Sequence, residues 1–341
     1  MRSIKFIILC ATMVSMLSCD SLLDEPMYSR KSEQNFPISE ADALTAISGV
    51  YSLFAQYNYF SQYYEIVLET AGGCFVQPYP GGDMGAFVWK TNQSSNSYTS
   101  VIWQAHYKQI NLCNQLLNQF PQMSISQDVK NSVIGEALFI RAMDYFNLVR
   151  MYGPVPLKIQ ETTGLKDASS PRSPESEVYA QIVKDLKEAA SLLPATQALK
   201  GRATKGAAYG LLAKAYLTMA SMKKHSGNYY NRFDFVTDPQ AYYDSTRVYC
   251  QKVVDLKVYN LVSDYMKQFP IQCAIDGTVT PEGFENSVES IFEIQFIRDN
   301  RMTGNNLPMQ LLPYTSGYGY NNGGWATLRS TRMGFKDFLR D

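Results

Sequence analysis

Residues Glu136–Leu157 read EALFIRAMDYFNLVRMYGPVPL, and the reading of this stretch decides the fold. Ile134, Leu138, Arg141, Tyr145, Leu148 and Tyr152 fall at i, i+4, i+7, i+11, i+14 and i+18, one helical stripe that Ala137, Ala142, Phe146 and Val149 widen. The alanines let a neighbouring helix come close, while Phe139, Tyr145 and Phe146 supply bulk. The stripe predicts a core helix in which Arg141 and Tyr145 are buried. Arg141 must then be paired, because an isolated buried guanidinium is too costly. Gly153 can adopt the left-handed cap conformation, and Pro154 and Pro156 cannot continue a hydrogen-bonded turn. The helix is therefore expected to stop sharply and release an extended Val155–Pro156–Leu157 strip.

Around this stretch lie 341 residues, enough for one or two domains, with globular proportions of 45% hydrophobic and 18% charged residues. Lys+Arg and Asp+Glu balance at 31 each, so no strong field draws in nucleic acid. The unusual feature is 24 Tyr against two His.

Arg2 and Lys5 precede an apolar run, Phe6–Leu17, that is short for a membrane span and suits a targeting leader. The run ends Met16-Leu17-Ser18-Cys19, a small residue before a cysteine, which resembles a lipobox even though Met16 stands where Leu or Val is more usual. Residues 1–18 are expected to be a lipoprotein signal peptide and Cys19 the acylated first residue of the mature chain. The competing reading is an ordinary secretory signal with an incidental cysteine. Residues 19–37, with Asp20, Asp24, Glu25, Pro26 and Pro37, read as a lipid-anchored tether, and 38–341 as the folded domain.

Helices follow one another in that domain. Ser39 with Asp42 predicts a capped start before Ala43, Ile47, Val50 and Phe54. Trp103, Tyr107, Ile110, Asn114 and Leu117 carry a helix from about Ser100 to Phe120, with Trp103 on its core side. Ser126 is expected to start the central helix. Ser173 and Pro174 are expected to cap one bearing Val178, Ile182, Leu186 and Leu193. Thr204 and Asp238 open two more. These read as divergent tetratricopeptide-like pairs in an all-α fold, without a clean repeat period. Two long insertions break the ladder, Ala71–Tyr98 and Ala274–Gly324, the second containing a strand-like Ser290–Phe296. Loops of this length and aromatic content are candidates for function.

Enzyme signatures are absent: no Gly-x-Ser-x-Gly, no His-Glu-x-x-His, no phosphate-binding glycine loop. Gly317-x-Gly319 lies between loop residues, and Asp299–Gly304 lacks the carboxylates of a calcium loop. His106 and His225 read as structural. No cofactor or metal site is indicated. No cysteines sit at CxxC spacing. Cys113 and Cys250 lie on helix patterns and read as buried, whereas Cys74 and Cys273 lie in loops, where free thiols or a disulfide would both fit.

The word order of Glu136–Leu157 resembles the signature helix of the SusD/RagB family. Arg141, Tyr145, Phe146, Leu148, Val149, Arg150, Tyr152, Gly153 and Pro156 stand where that family's motif puts them. Arg202–Leu217, with an Arg-x-Thr opening before an alanine-rich helix, resembles a second family segment, and Asp20–Pro26 its mature N-terminus. The resemblance implies a surface lipoprotein of the outer membrane that binds nutrient, without catalysis, for a partner SusC-type TonB-dependent transporter. It also implies that more chain follows the segment ending at Asp341, so the C-terminal part is expected to be truncated.

Sugar rings pack C–H faces on indole and phenol rings while amides take their hydroxyls. Trp89 and Asn92 in the first insertion, and Tyr318, Tyr320, Asn322 and Trp325 in the second, are therefore the candidate ligand-binding residues for an oligosaccharide. Two alternatives remain. Peptide binding, as in RagB-like members, would favour a deep closed cleft, and a surface glycoside hydrolase would need two convergent carboxylates near Trp325. The anchor reading makes a direct prediction. Cys19→Ala should move the protein from the membrane to the soluble fraction, and unchanged fractionation would refute lipidation.

Overall fold

The cap expected at Ser39 is present. In the computed structural model, which describes residues 39–73, 75–76, 82–88, 91–225, 231–263, 286–296 and 329–330, the Asp42 N–H donates to Ser39 Oγ and the Ser39 N–H donates to Asp42 Oδ2, both at 3.2 Å. This box opens α1 (Glu40–Ser52), which buries Ala43, Ile47 and Val50. Next come α2 (Tyr63–Ala71), β1 (Phe75–Val76) and α3 (Gly82–Val88). The reading of Ala71–Tyr98 as continuous loop is thus corrected. Two glycines in seven residues hide α3 from any periodicity test, and tertiary contacts hold it. Asn96 Nδ2 donates to Asp83 O at 2.6 Å, and the Ser97 N–H donates to Asp83 Oδ2 at 2.8 Å.

The ladder proper is α4 (Ser97–Gln119), α5 (Gln127–Tyr152), α6 (Glu175–Leu192), α7 (Lys205–His225) and α8 (Pro239–Asp255), each packed on the next. Successive helices start 30, 48, 30 and 34 residues apart, so the period is uneven, as the sequence suggests. Asn96, Thr204 and Asp238 cap with their side chains. Ser126 and Ser173 do not. The Ser126 N–H donates instead to Glu40 Oε1 and the Ser173 N–H to the Val155 carbonyl, which link these two positions to other parts of the fold.

α5 is the axis of the core. The sequence shows one stripe, but the helix is buried on nearly every side, with Glu136, Phe139, Asp144 and Asn147 enclosed as well. Gly135 lies so close to α6 that a Cβ there would stand 2.8 Å from Leu193 Cγ. Gly153 ends the helix at φ 71°, where a Cβ would also meet the Arg232 guanidinium at 2.6 Å.

The Val155–Gln160 strip beyond forms no ladder apart from one bridge, Val155 to Ser173. Side chains of α4 and α5 satisfy its carbonyls. Tyr107 Oη donates to Pro156 O at 2.7 Å, Tyr145 Oη to Lys158 O at 2.7 Å, and Asn114 Nδ2 to Lys158 O and Gln160 O at 3.0 and 2.9 Å. Arg141 is 6% exposed and is paired as expected. Its Nε and Nη2 reach the two Asp185 carboxylate oxygens at 2.8 Å each, and its Nη1 reaches Asn114 Oδ1 at 2.8 Å.

Other expectations are corrected. Ser290–Phe296 pairs with no strand. It lies over the helices instead, with Phe292 edge-on to Phe54 and Phe139 at ring distances of 6.5 and 4.9 Å. Cys113 is buried, but Cys250 is exposed, because α8 is an outer helix with no buried residue. Trp103 is half-buried rather than in the core. Residues 1–38, Cys74, Cys273, Asp299–Gly304, Gly317-x-Gly319 and the segment Met333–Asp341 lie outside the described residues.

Removing one partner of the Arg141–Asp185 pair strands a buried charge. Asp185→Ala should cost about 3–5 kcal/mol of stability. The apolar double variant Arg141→Met/Asp185→Leu should lose much less than the two single variants summed. Denaturant unfolding checks both, and a near-native Asp185→Ala would contradict this account.

Candidate functional site

A groove of about 700 Å³ runs between α2, the start of α4 and the C-terminal end of α5. Its aromatic walls are Tyr64, Phe87, Trp103 and Tyr152, and Asn92, Gln93 and Gln104 bring amides to it. Each wall is set by local structure. Tyr152 Oη donates to Thr99 O at 2.7 Å, which ties the end of α5 to the first turn of α4. Trp103 stands perpendicular to Tyr152 with ring centroids 5.0 Å apart, and tilted against Tyr107 at 4.9 Å. On the far side of Trp103 and Gln104 a second groove of about 560 Å³ continues along Tyr107, Lys108 and Asn111. A third, of about 580 Å³, shares Tyr64, Leu68 and Arg150 with the first and is lined by Phe60, Phe146, Lys214 and Phe292.

Two guanidinium groups stand in the first groove. Arg150 lies over the Phe146 ring at 4.1 Å, with Nε donating to Phe146 O and Nη2 to Asn147 Oδ1. Arg172 lies 5.7 Å over Trp103, and its Nη1 donates to Pro154 O at 2.8 Å. Burial pushes the Tyr64 hydroxyl up to about 12, against the opposing pull of the Arg150 charge.

Beneath Tyr64 sits a closed polar cluster. Tyr59, His106 and Asp144 are fully buried. Tyr59 Oη donates to Asp144 Oδ1 at 2.7 Å, and His106 Nδ1 lies 2.6 Å from Tyr59 Oη and 3.0 Å from Asp144 Oδ1. Because the phenol proton is committed to the carboxylate, His106 must carry its proton on Nδ1 and donate it into this pair. Among the described residues His106 Nε2 and Asp144 Oδ2 meet no hydrogen-bond partner. Tyr64 rests edge-on against His106, with ring centroids 6.0 Å apart, so the cluster supports the groove floor. His106 is structural, as the sequence reading has it, whereas His225 is exposed at the end of α7.

Of the residues named from sequence, Asn92 lines the groove and is exposed. Trp89, Tyr318, Tyr320, Asn322, Trp325 and Cys19 lie outside the described residues. Arg150, Tyr152, Arg172, Trp103 and Tyr64 were missed as site residues. Arg150, Trp103 and Tyr152 sit inside helix patterns that read as core, and nothing in the local sequence marks Arg172. Among the described residues no cluster of three or more His, Cys, Asp or Glu could hold a metal ion, and no helix is long and apolar enough to cross a membrane.

The architecture is thus an all-helical ladder carrying an open groove of rings, amides and guanidinium groups. The chain is similar to SusD-like proteins over part of its length. Residues 82–217 match the SusD-like profile described as "Starch-binding associating with outer membrane". The SusD-like protein P2 of Formosa agariphila is 28% identical over 250 residues, covering 71% of this chain and 47% of that protein. A SusD homolog from Bacteroides thetaiotaomicron superposes with a TM-score of 0.69 at 20% identity, over 92% of this chain and 58% of the other. Another structure, solved with a xylogluco-oligosaccharide, matches with a TM-score of 0.64 at 21% identity, over 84% and 54%. These structural matches are likenesses of fold. The chain spans less than half the length of the curated relatives it matches.

Asp144 gives the cluster a pH signature. Burial raises its carboxyl above the ordinary value, more than the His106 and Tyr59 contacts lower it. The folded protein therefore holds this proton more tightly than the unfolded chain does. The resulting stabilisation is fullest at acid pH and is lost as pH rises from the ordinary carboxylate range through the raised value. Unfolding free energies from about pH 4 to about pH 7 should show wild type losing stability relative to Asp144→Asn. Parallel profiles would contradict this.

Proposed function

We propose that the chain is an outer-membrane lipoprotein, anchored through Cys19 and exposed at the cell surface, that captures oligosaccharides and passes them to a SusC-type TonB-dependent transporter. It performs no chemistry of its own. Residues 1–18 are the leader, 19–37 the tether and 38–341 the binding domain. The observation that carries this reading is the groove at Trp103, where flat rings stand beside amides, the two kinds of group a sugar needs. The family description and the oligosaccharide held by one structural relative support it. Hydrolysis would need two facing carboxylates, whereas the charged side chains lining the groove, among the described residues, are Arg150 and Arg172.

In this reading Trp89 and Asn92 of the first insertion and Tyr318, Tyr320, Asn322 and Trp325 of the second converge on one ligand. The convergence is supported by β1 and β2 (Arg329–Ser330), which pair antiparallel with Phe75 opposite Ser330 and Val76 opposite Arg329. The start of the first insertion is thereby bonded to chain that follows Trp325 closely in sequence. Each indole should contribute on the order of 1 kcal/mol through stacking and apolar burial, so Trp89→Ala and Trp325→Ala should each weaken binding several-fold. Titration against a panel of oligosaccharides, with thermal melts as control, is the measurement. Wild-type affinity in both variants would remove these two residues from the site.

A further inference from the structure

The geometry points to an anionic sugar, one bearing a carboxylate or a sulfate ester, as the ligand unit held in the groove between Trp103 and Arg150. This rests on the glycan-binding reading and narrows its substrate class. Among the described residues, Arg150 and Arg172 line the groove and no carboxylate does. Among the described residues neither arginine forms an ion pair, although the buried Arg141 and the half-buried Arg202 are both matched to acids. Their protein contacts are to carbonyls, an amide and ring faces, which orient a guanidinium without neutralising it. The forked N–H groups left over match planar carboxylate or sulfate oxygens. Lys214, which lines the adjoining groove with Arg150, adds a third cation, and the Arg150 charge contributes to depressing its pKa after burial. Glu65 and Glu293 face that adjoining groove and not the one at Trp103. Both guanidinium groups are exposed at the groove, and an anionic sugar would meet them with opposite charge, which a neutral sugar cannot do, while its ring stacks on Trp103.

The test is calorimetric titration of the purified protein with three oligosaccharides of equal length: an oligouronate, a sulfated galactan fragment and a neutral xylogluco-oligosaccharide. Wild type should prefer at least one anionic ligand by roughly tenfold or more, and added salt should erode that preference. Arg150→Gln/Arg172→Gln should abolish the preference and its salt dependence, with the melting temperature as the control for folding. A preference for the uronate assigns the anion as carboxylate, and a preference for the galactan assigns it as sulfate. Equal binding of neutral and anionic ligands, or a preference that survives the double substitution, would overturn the inference while glycan capture stands. No binding to any of the three, with uptake of an acidic peptide instead, would overturn the glycan reading itself.

Discussion

The buried guanidinium of Arg141 is the constraint on which the rest depends. A charge at that depth is tolerated only when each of its donors is met, and its closest partners come from two other helices. Asp185 brings α6 against α5, Asn114 brings α4, and Asn114 in turn holds the carbonyls of the strip after Gly153. The fork geometry of the bidentate pair fixes rotation as well as distance. One side chain thus sets the order of three helices and the path of a proline-rich strip that has no ladder of its own.

A second pair extends the same logic to the edge of the core. Glu136, at the start of the central stretch, is matched by Arg202, which also lies over Tyr51 and donates to Ser48. Burial raises the Glu136 carboxyl, and the Arg202 charge opposes the shift. The two stretches that carry the family resemblance are therefore bonded to each other, and α1 is tied in with them. Their chemistry is largely architectural. The groove lies at the end of this framework, where α5 stops at Gly153 and the side chains of Arg150 and Tyr152 emerge beside the first turns of α4.

That placement explains why the groove is positioned firmly and yet left open. Tyr152, Trp103 and Tyr107 brace one another in edge and tilted contacts, and the Tyr59–His106–Asp144 cluster underlies Tyr64. Rings held in this way keep their faces in fixed positions while the polar groups around them stay accessible.

Much of the ladder was legible before any coordinates. The stripe of α5, its stop at Gly153 and Pro154, the burial of Arg141 and Tyr145 and the caps at Ser39, Thr204 and Asp238 all follow from local rules that depend on residues a few positions apart. Helix α3 was not legible, since Gly82 and Gly85 give it no intrinsic preference and it survives on bonds to Asn96 and Ser97. Nor was the failure of Ser290–Phe296 to form a strand, because a β-pattern becomes a strand only when a partner edge is available. The site divided in the same way. Composition pointed to aromatic insertions and to Asn92, but Arg150, Trp103 and Tyr152 sit in helical registers identical to those of core residues. Only the packing of α2, α4 and α5 turned those positions toward a shared groove. The sequence determined which segments form the helices of the ladder and that the buried Arg141 must be matched, because those are short-range demands. The tertiary structure decided which helix faces were left uncovered, because that depends on where every other segment goes.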